Sequence, residues 1–162
     1  VASRYSSKGG GRVKGAIKVF ITPTLEMVVL PNTQILPKKE RTAWIKEKKA
    51  LGWILFASKG EARRYIELKT LEHHKLIKDL ELQPKFPLWI TEPISKIKYY
   101  FWTYIADFKY RDIELGEIVV EDVKGMKTEI YLKKSELFQV LYPQYYFLET
   151  CAGKQKSIKA FS

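Results

Sequence analysis

Two short runs constrain this chain more than any other feature: Tyr104-Ile105-Ala106-Asp107-Phe108-Lys109-Tyr110 and Ile118-Val119-Val120-Glu121-Asp122-Val123-Lys124-Gly125. Both are rich in aromatic and β-branched residues and bounded by turn-forming sequence, which predicts two β-strands. Side chains alternate along a strand, so Asp122 and Lys124 point to one face and Glu121 to the other. Strand interiors are depleted in aspartate, and a carboxylate buried there without a partner costs several kcal/mol or a large pKa shift. If the two strands pair, Asp107 joins Asp122 and Lys124. Two carboxylates and an ammonium then converge on one surface of a sheet. Hard oxygen ligands suit Mg²⁺, which also takes phosphate oxygens and keeps waters. A neighbouring lysine can hold a phosphate or orient an attacking water, as metal-assisted phosphodiester hydrolysis requires. Taken separately, each charge has a plainer reading, a strand-end or edge salt bridge, and only the convergence argues for chemistry.

The 162 residues suffice for one well-buried domain with extensions. The single cysteine, Cys151, cannot form an internal disulfide, and with two histidines it makes no ordinary structural zinc site. No apolar run approaches the roughly 18 residues of a membrane span, and no signal-peptide pattern is visible. A soluble, reducing, cytoplasmic setting is therefore expected, with no membrane partner. Charge is unevenly spread. Residues 1–57 hold 11 Lys/Arg against 3 Asp/Glu, residues 58–150 hold 15 against 15, and residues 151–162 hold 3 against none. A neutral centre with basic flanks fits a protein that holds a polyanion with its extensions, although basic ends also simply aid solubility.

Along the chain, residues 1–15, with Gly9-Gly10-Gly11, read as a flexible basic tail. Residues 16–55 form an N-terminal extension: a hairpin over 16–21 and 26–30 turning near Pro23-Thr24, a loop to Pro37, a helix over 38–51 closed by Gly52, and a strand at 53–56. Ser58-Lys59-Gly60-Glu61 fits a capping box opening a helix that runs to about Leu76. On it Glu61, Tyr65, Leu68 and Glu72 share a face, while Arg63, Arg64 and Lys69 are left for solvent or phosphate. Strands over 77–83 and 86–90 follow, then the two charged runs. A helix is predicted over 127–142 with Ile130, Leu137 and Leu141 inward, and a last strand at 145–148. Residues 151–162 read as a basic C-terminal tail. Helix, strands, helix, strand predicts an α/β sandwich: a mixed sheet flanked by helices over residues 56–150. Gln83 can orient a water or meet a phosphate, or serve as ordinary turn sequence. His73 and His74 read as helix-end residues rather than ligands, and Lys133 and Lys134 as a solvated face with Lys134 near enough to touch DNA.

Together, Ser58-Lys59-Gly60-Glu61-Ala62-Arg63-Arg64-Tyr65, Leu80-Glu81-Leu82-Gln83-Pro84-Lys85-Phe86, Tyr104-Ile105-Ala106-Asp107-Phe108 and Val120-Glu121-Asp122-Val123-Lys124-Gly125 resemble a family of small phage and prophage proteins within the PD-(D/E)xK nuclease superfamily. The resemblance covers roughly residues 56–146. It implies a restriction-endonuclease-like αβββαβ core that cleaves nucleic acid with Mg²⁺, for which Mn²⁺ can substitute. Asp107 then stands for the motif aspartate, Asp122 for the acidic residue and Lys124 for the lysine. Glu61 matches the helix glutamate of archaeal Holliday-junction resolvases, and the Val123 backbone carbonyl is a further candidate ligand. Ala106 replaces the motif proline, and aspartate replaces the commoner glutamate at 122. The implied activity is a metal-dependent DNA endonuclease, phage-encoded, acting on branched DNA as a homodimer, with Glu61, Gln83, Asp107, Asp122 and Lys124 as its site residues. A fork, flap or nicking nuclease, an RNA-directed nuclease, and a non-catalytic DNA-binding or packaging accessory on the same fold stand as alternatives.

Overall fold

A computed structural model of the chain describes residues 18–29, 37–125, 127–151 and 154–157. The expected basic tail over 1–15, most of the loop over 31–37 and the end of the C-terminal tail lie outside these residues. The chain divides into two compact units, 1–59 and 60–162, a few residues beyond the boundary expected at 55.

In the first unit, β1 (Val19–Ile21) is the middle of a three-stranded antiparallel sheet between β2 (Met27–Val29) and β3 (Ile54–Phe56). The β1–β2 hairpin falls where alternation and Pro23-Thr24 put it. Helix α1 (Lys38–Ala50) ends at Leu51, and Gly52 follows at φ +80°, the left-handed conformation of a helix C′ residue. Phe20, Trp44 and Trp53 form an edge-to-face aromatic trio, with the Lys48 ammonium 5.6 and 5.3 Å from the two indole centroids.

The second unit opens within the first turn of α2 (Lys59–His73), which buries Ala62, Tyr65 and Leu68. Its five-stranded mixed sheet has the order β10-β9-β8-β7-β4, built from β4 (Ile77–Leu82), β7 (Phe108–Asp112), β8 (Ile118–Val123), β9 (Tyr146–Cys151) and β10 (Lys154–Ser157). Strands β4, β7 and β8 are antiparallel neighbours, and β8 lies parallel to β9. A parallel pair needs a long crossover; α3 (Glu129–Leu141) supplies it, capped by the Thr128 hydroxyl, which accepts the Tyr131 N–H at 3.2 Å. Residues 154–157 pair antiparallel with β9, so the expected C-terminal tail begins as an edge strand.

Between β4 and β7 the chain leaves this sheet as a separate antiparallel hairpin, β5 (Lys85–Thr91) and β6 (Lys98–Ile105). The run 104–110, expected as one strand, is therefore two: it ends β6, breaks at Ala106-Asp107, and starts β7. Helix α3 packs on the hairpin. Phe138 lies 4.8 Å from Phe86 and 4.9 Å from Tyr104, ring centre to ring centre, in a core completed by Leu88, Ala106, Val120 and Phe147. The inward face of α3 is thus set by Ser135 and Phe138, with Tyr131 and Tyr142 packed beside them. The expected stripe of Ile130, Leu137 and Leu141 is corrected: Leu137 packs inward, but Ile130 is 58 % exposed. Aromatic partners on the hairpin, invisible to helical periodicity, decide the rotation. Among the described residues no helix is long and apolar enough to cross a membrane.

Candidate active site

Strand β8 carries two adjacent carboxylates, Glu121 and Asp122, each fully buried and on opposite faces as alternation demands. Such burial is tolerable only where each charge is paired and hydrogen-bonded. On one face Arg64, from α2, grips Glu121 through Nε at 2.6 Å and a second guanidinium nitrogen at 3.0 Å. The Tyr110 and Thr150 hydroxyls donate to the same carboxylate at 2.9 and 3.0 Å. Burial alone would lower the Arg64 pKa, but Glu121 outweighs it and raises it. Arg64, expected at solvent or phosphate, is instead half of a buried ion pair. Glu121 is complete and stands apart from the other cluster, as its opposite face predicts.

The other face holds Asp122. The Tyr104 hydroxyl, from β6, donates to its Oδ2 in a short hydrogen bond. Lys124, two residues on, sets its ammonium against Oδ1. That oxygen is buried and has no directed hydrogen bond, so charge alone holds it. Asp107 arrives from the break between β6 and β7, where its N–H donates to the Glu121 carbonyl at 3.1 Å. Its Oδ2 accepts the Val123 N–H at 2.7 Å and lies 3.6 Å from the Lys124 ammonium. Asp107, Asp122 and Lys124 therefore converge.

Burial, together with the Asp122 charge, pushes the Asp107 carboxyl up to about 8, against the pull of Lys124 and the Val123 N–H. Two carboxylates so close cannot both ionise at neutral pH without further positive charge. Burial would lower the Lys124 pKa, but Asp122 and Asp107, with a smaller contribution from Glu61, raise it. Lys124 is thus a permanent cation at neutral pH rather than a base. Burial and the Asp122 charge likewise push the Tyr104 and Tyr131 hydroxyls up, keeping both as neutral donors.

Glu61, in the first turn of α2, contributes to the field at Lys124. Among the described residues no three His, Cys, Asp or Glu side chains are grouped to hold a metal ion, so the candidate ligands that meet are the two aspartates. Two neighbouring carboxylates, one with an oxygen held only by the Lys124 ammonium, fit Mg²⁺, which is commonly held by one or two carboxylates while substrate phosphates and water fill the remaining positions. Of the Val123 backbone groups, the N–H is the one in contact with Asp107. Gln83 sits beside the site through its backbone: at φ +50° its N–H donates to the Asp107 carbonyl at 3.0 Å, and the residue is exposed.

Sequence reasoning missed Tyr104, Tyr131 and Glu149. Glu149 is the register partner of Asp122 on β9; it is buried, accepts the Tyr131 hydroxyl at 2.7 Å and is paired with Lys127. A glutamate after the apolar Tyr146-Phe147-Leu148 is the signal that would have flagged it, by the same reasoning as for Asp107. His73 and His74 face each other at 5.5 Å between ring centres, away from any such cluster, and Cys151 is free and exposed. Lys134 is placed with its ammonium 3.6 Å from the centre of the Trp102 ring.

No curated protein and no solved structure matches the chain. A family profile does match, over residues 42–156, which takes in most of α1, all of β3 and the second unit as far as residue 156. The chain therefore belongs to the family described as protein of unknown function (DUF1064).

Proposed function

We propose that this protein is a metal-dependent DNA endonuclease hydrolysing phosphodiester bonds, with Asp107, Asp122 and Lys124 as its centre. The observation that carries the reading is the convergence of the fully buried Asp122 and the partly buried Asp107, whose carboxyl is pushed up to about 8, on the Lys124 ammonium. The order α2-β4-β7-β8-α3-β9, with β8 parallel to β9 and a hairpin inserted after β4, supports a restriction-endonuclease-like αβββαβ core.

Asp107 and Asp122 would hold the ion, with Glu61 assisting from α2. When bound, Mg²⁺ supplies positive charge to the phosphate oxygens and lowers the pKa of water. The residues of the chain do the rest. Lys124, held cationic by the two aspartates, orients the attacking water and offsets charge developing at phosphorus. Tyr104 fixes the Asp122 carboxylate by donating to one oxygen, and the other, held by the Lys124 ammonium, would be the one to meet the ion. The Val123 N–H fixes Asp107 in the same way. Gln83, exposed and joined to Asp107 through its backbone N–H, would meet a substrate phosphate.

The substrate we favour is branched DNA of the Holliday-junction type in the cytoplasm of a bacterial host. A homodimer would match its two-fold symmetry. The basic flanks would hold phosphates without reading sequence. The test is cleavage of end-labelled four-way junction, fork, nicked duplex, plain duplex, single strand and RNA in Mg²⁺, Mn²⁺ or EDTA. Symmetrical metal-dependent cuts on the junction are expected, and Asp107→Ala should abolish them while sparing DNA binding. Cuts confined to forks and flaps replace the resolvase with a fork nuclease. Cleavage surviving in Asp107→Ala, or binding without cleavage in every condition, overturns the enzymatic assignment. The latter result makes the protein a DNA-binding accessory.

A further inference from the structure

Beside the two aspartates opens a cleft of about 500 Å³, bordered by Tyr100, Trp102, Ile130 and Lys134, with Asp122 and Lys124 also on its wall. It is larger than an ion and its waters need and falls within the roughly 300–1,000 Å³ of sites for small organic groups. Its outer wall is aromatic and open: Trp102 is 43 % and Tyr100 56 % exposed, although both lie on a strand whose neighbour Tyr104 is buried. The Lys134 ammonium rests 3.6 Å from the Trp102 ring centre, and Lys134 makes no ion pair with an acidic side chain among the described residues. One wall thus offers a π-face beside a cation, and another offers the groups assigned above to phosphate chemistry.

We infer that this cleft binds one unpaired nucleotide of a DNA substrate, its base stacked at Trp102 and its phosphate at Lys134, next to the bond to be cut. The inference rests on the nuclease reading and adds the substrate feature that reading leaves open. A paired base has both faces covered by its neighbours in the duplex; only an unpaired base presents a face to an indole. Such stacking is independent of sequence, because every base has a π-face. Lys134 does not block the ring: an ammonium over an exposed indole gains less than a stacked base does, and it exchanges the ring for an adjacent phosphate. Forks and flaps supply such nucleotides outright and a four-way junction, fully paired at rest, supplies one when its crossover opens, whereas plain duplex does not.

The experiment measures binding of the full chain in EDTA, so that metal-dependent cleavage does not intervene. Two labelled DNAs with equal numbers of phosphates are compared, a blunt duplex and a duplex with a short single-stranded tail. The tailed DNA should bind on the order of tenfold more tightly. Trp102→Ala should erase that preference, and Trp102→Phe should keep most of it. Equal binding of the two DNAs by the unaltered protein, or a preference that survives Trp102→Ala, overturns the inference. Photocrosslinking of the unaltered protein to 5-iodouracil in the tail gives a second reading that depends on no variant. The crosslink is expected in the tryptic peptide spanning residues 99–109, and crosslinks found only elsewhere overturn the inference. The nuclease reading fails differently: cleavage surviving in Asp107→Ala leaves the tail preference untouched, and cleavage without a tail preference removes the cleft's role alone.

Discussion

Removing the charge of Asp107 should make the metal-free protein more stable, but only at high pH. In the fold its carboxyl titrates at about 8 instead of its ordinary 3.8, because it is buried beside Asp122. The folded chain therefore holds a proton that the unfolded chain has released, and between pH 4 and 8 folding takes that proton up. Stability contributed by the protonated pair is fully present below about pH 4 and is lost as pH rises through 8. Every pH unit in that window removes about 1.4 kcal/mol. Between pH 5 and pH 8 this gives a ceiling of roughly 4 kcal/mol, which water entry and relaxation around the charged pair reduce to about 2 kcal/mol. The assay is urea unfolding in EDTA at pH 5, 7 and 9, followed by tryptophan fluorescence, for the natural chain and Asp107→Asn. Asparagine keeps the size of the side chain and its acceptor for the Val123 N–H. The two proteins should be closest in stability at pH 5, and the variant should gain about 2 kcal/mol relative to the natural chain by pH 9. If the pair holds Mg²⁺ as proposed, excess Mg²⁺ should flatten the natural chain's decline, the ion substituting for the proton. Curves that stay parallel from pH 5 to 9 in EDTA would refute the picture of a carboxylate pair short of positive charge.

Other perturbations test other parts of the fold. Arg64→Met leaves Glu121 buried with only hydroxyl donors and should destabilise the chain by about 3 kcal/mol in urea titrations; adding Glu121→Leu should restore most of that, and a double variant as weak as the single would deny that the unpaired charge is the cause. Gly52→Ala should cost about 1 kcal/mol, read as a lower urea midpoint. Its new Cβ would lie an unstrained 3.6 Å from the Pro23 ring, so the loss comes from the +80° φ angle and not from crowding.

Local patterns were legible wherever the chemistry is local. The spacing of Asp122 and Lys124 needs only the two-residue period of a strand, and their ion pair follows. Gly52 marks the end of α1, and the alternation around Pro23-Thr24 marks the first hairpin, from sequence alone. The break at Asp107 was not legible, because residues 104–110 contain neither glycine nor proline where the chain changes sheets. Nor was Arg64: helical geometry allows its side chain to reach either solvent or the sheet, and its choice depends on Glu121, 57 residues away. Nothing within a few residues of Tyr104 or Tyr131 shows that their hydroxyls end at Asp122 and Glu149. Lysine-rich sequence hid β10, the edge strand paired with β9.

The hairpin β5–β6 leaves and rejoins the sheet at a closed neck. Leu82 pairs with Phe108, the Gln83 N–H meets the Asp107 carbonyl at 3.0 Å, and the Ala106 N–H meets that of Pro84 at 3.3 Å. Whatever happens at the tip, residues 92–97, the two ends of this excursion stay stitched a few ångströms from Asp107. Lengthening the tip costs little closure entropy and disturbs no buried backbone. Only the tip works like an exchangeable bit: residues 92–97 can be lengthened or replaced while the base of the hairpin, which carries Phe86, Leu88 and Tyr104, stays in the core and keeps the acidic pair in place.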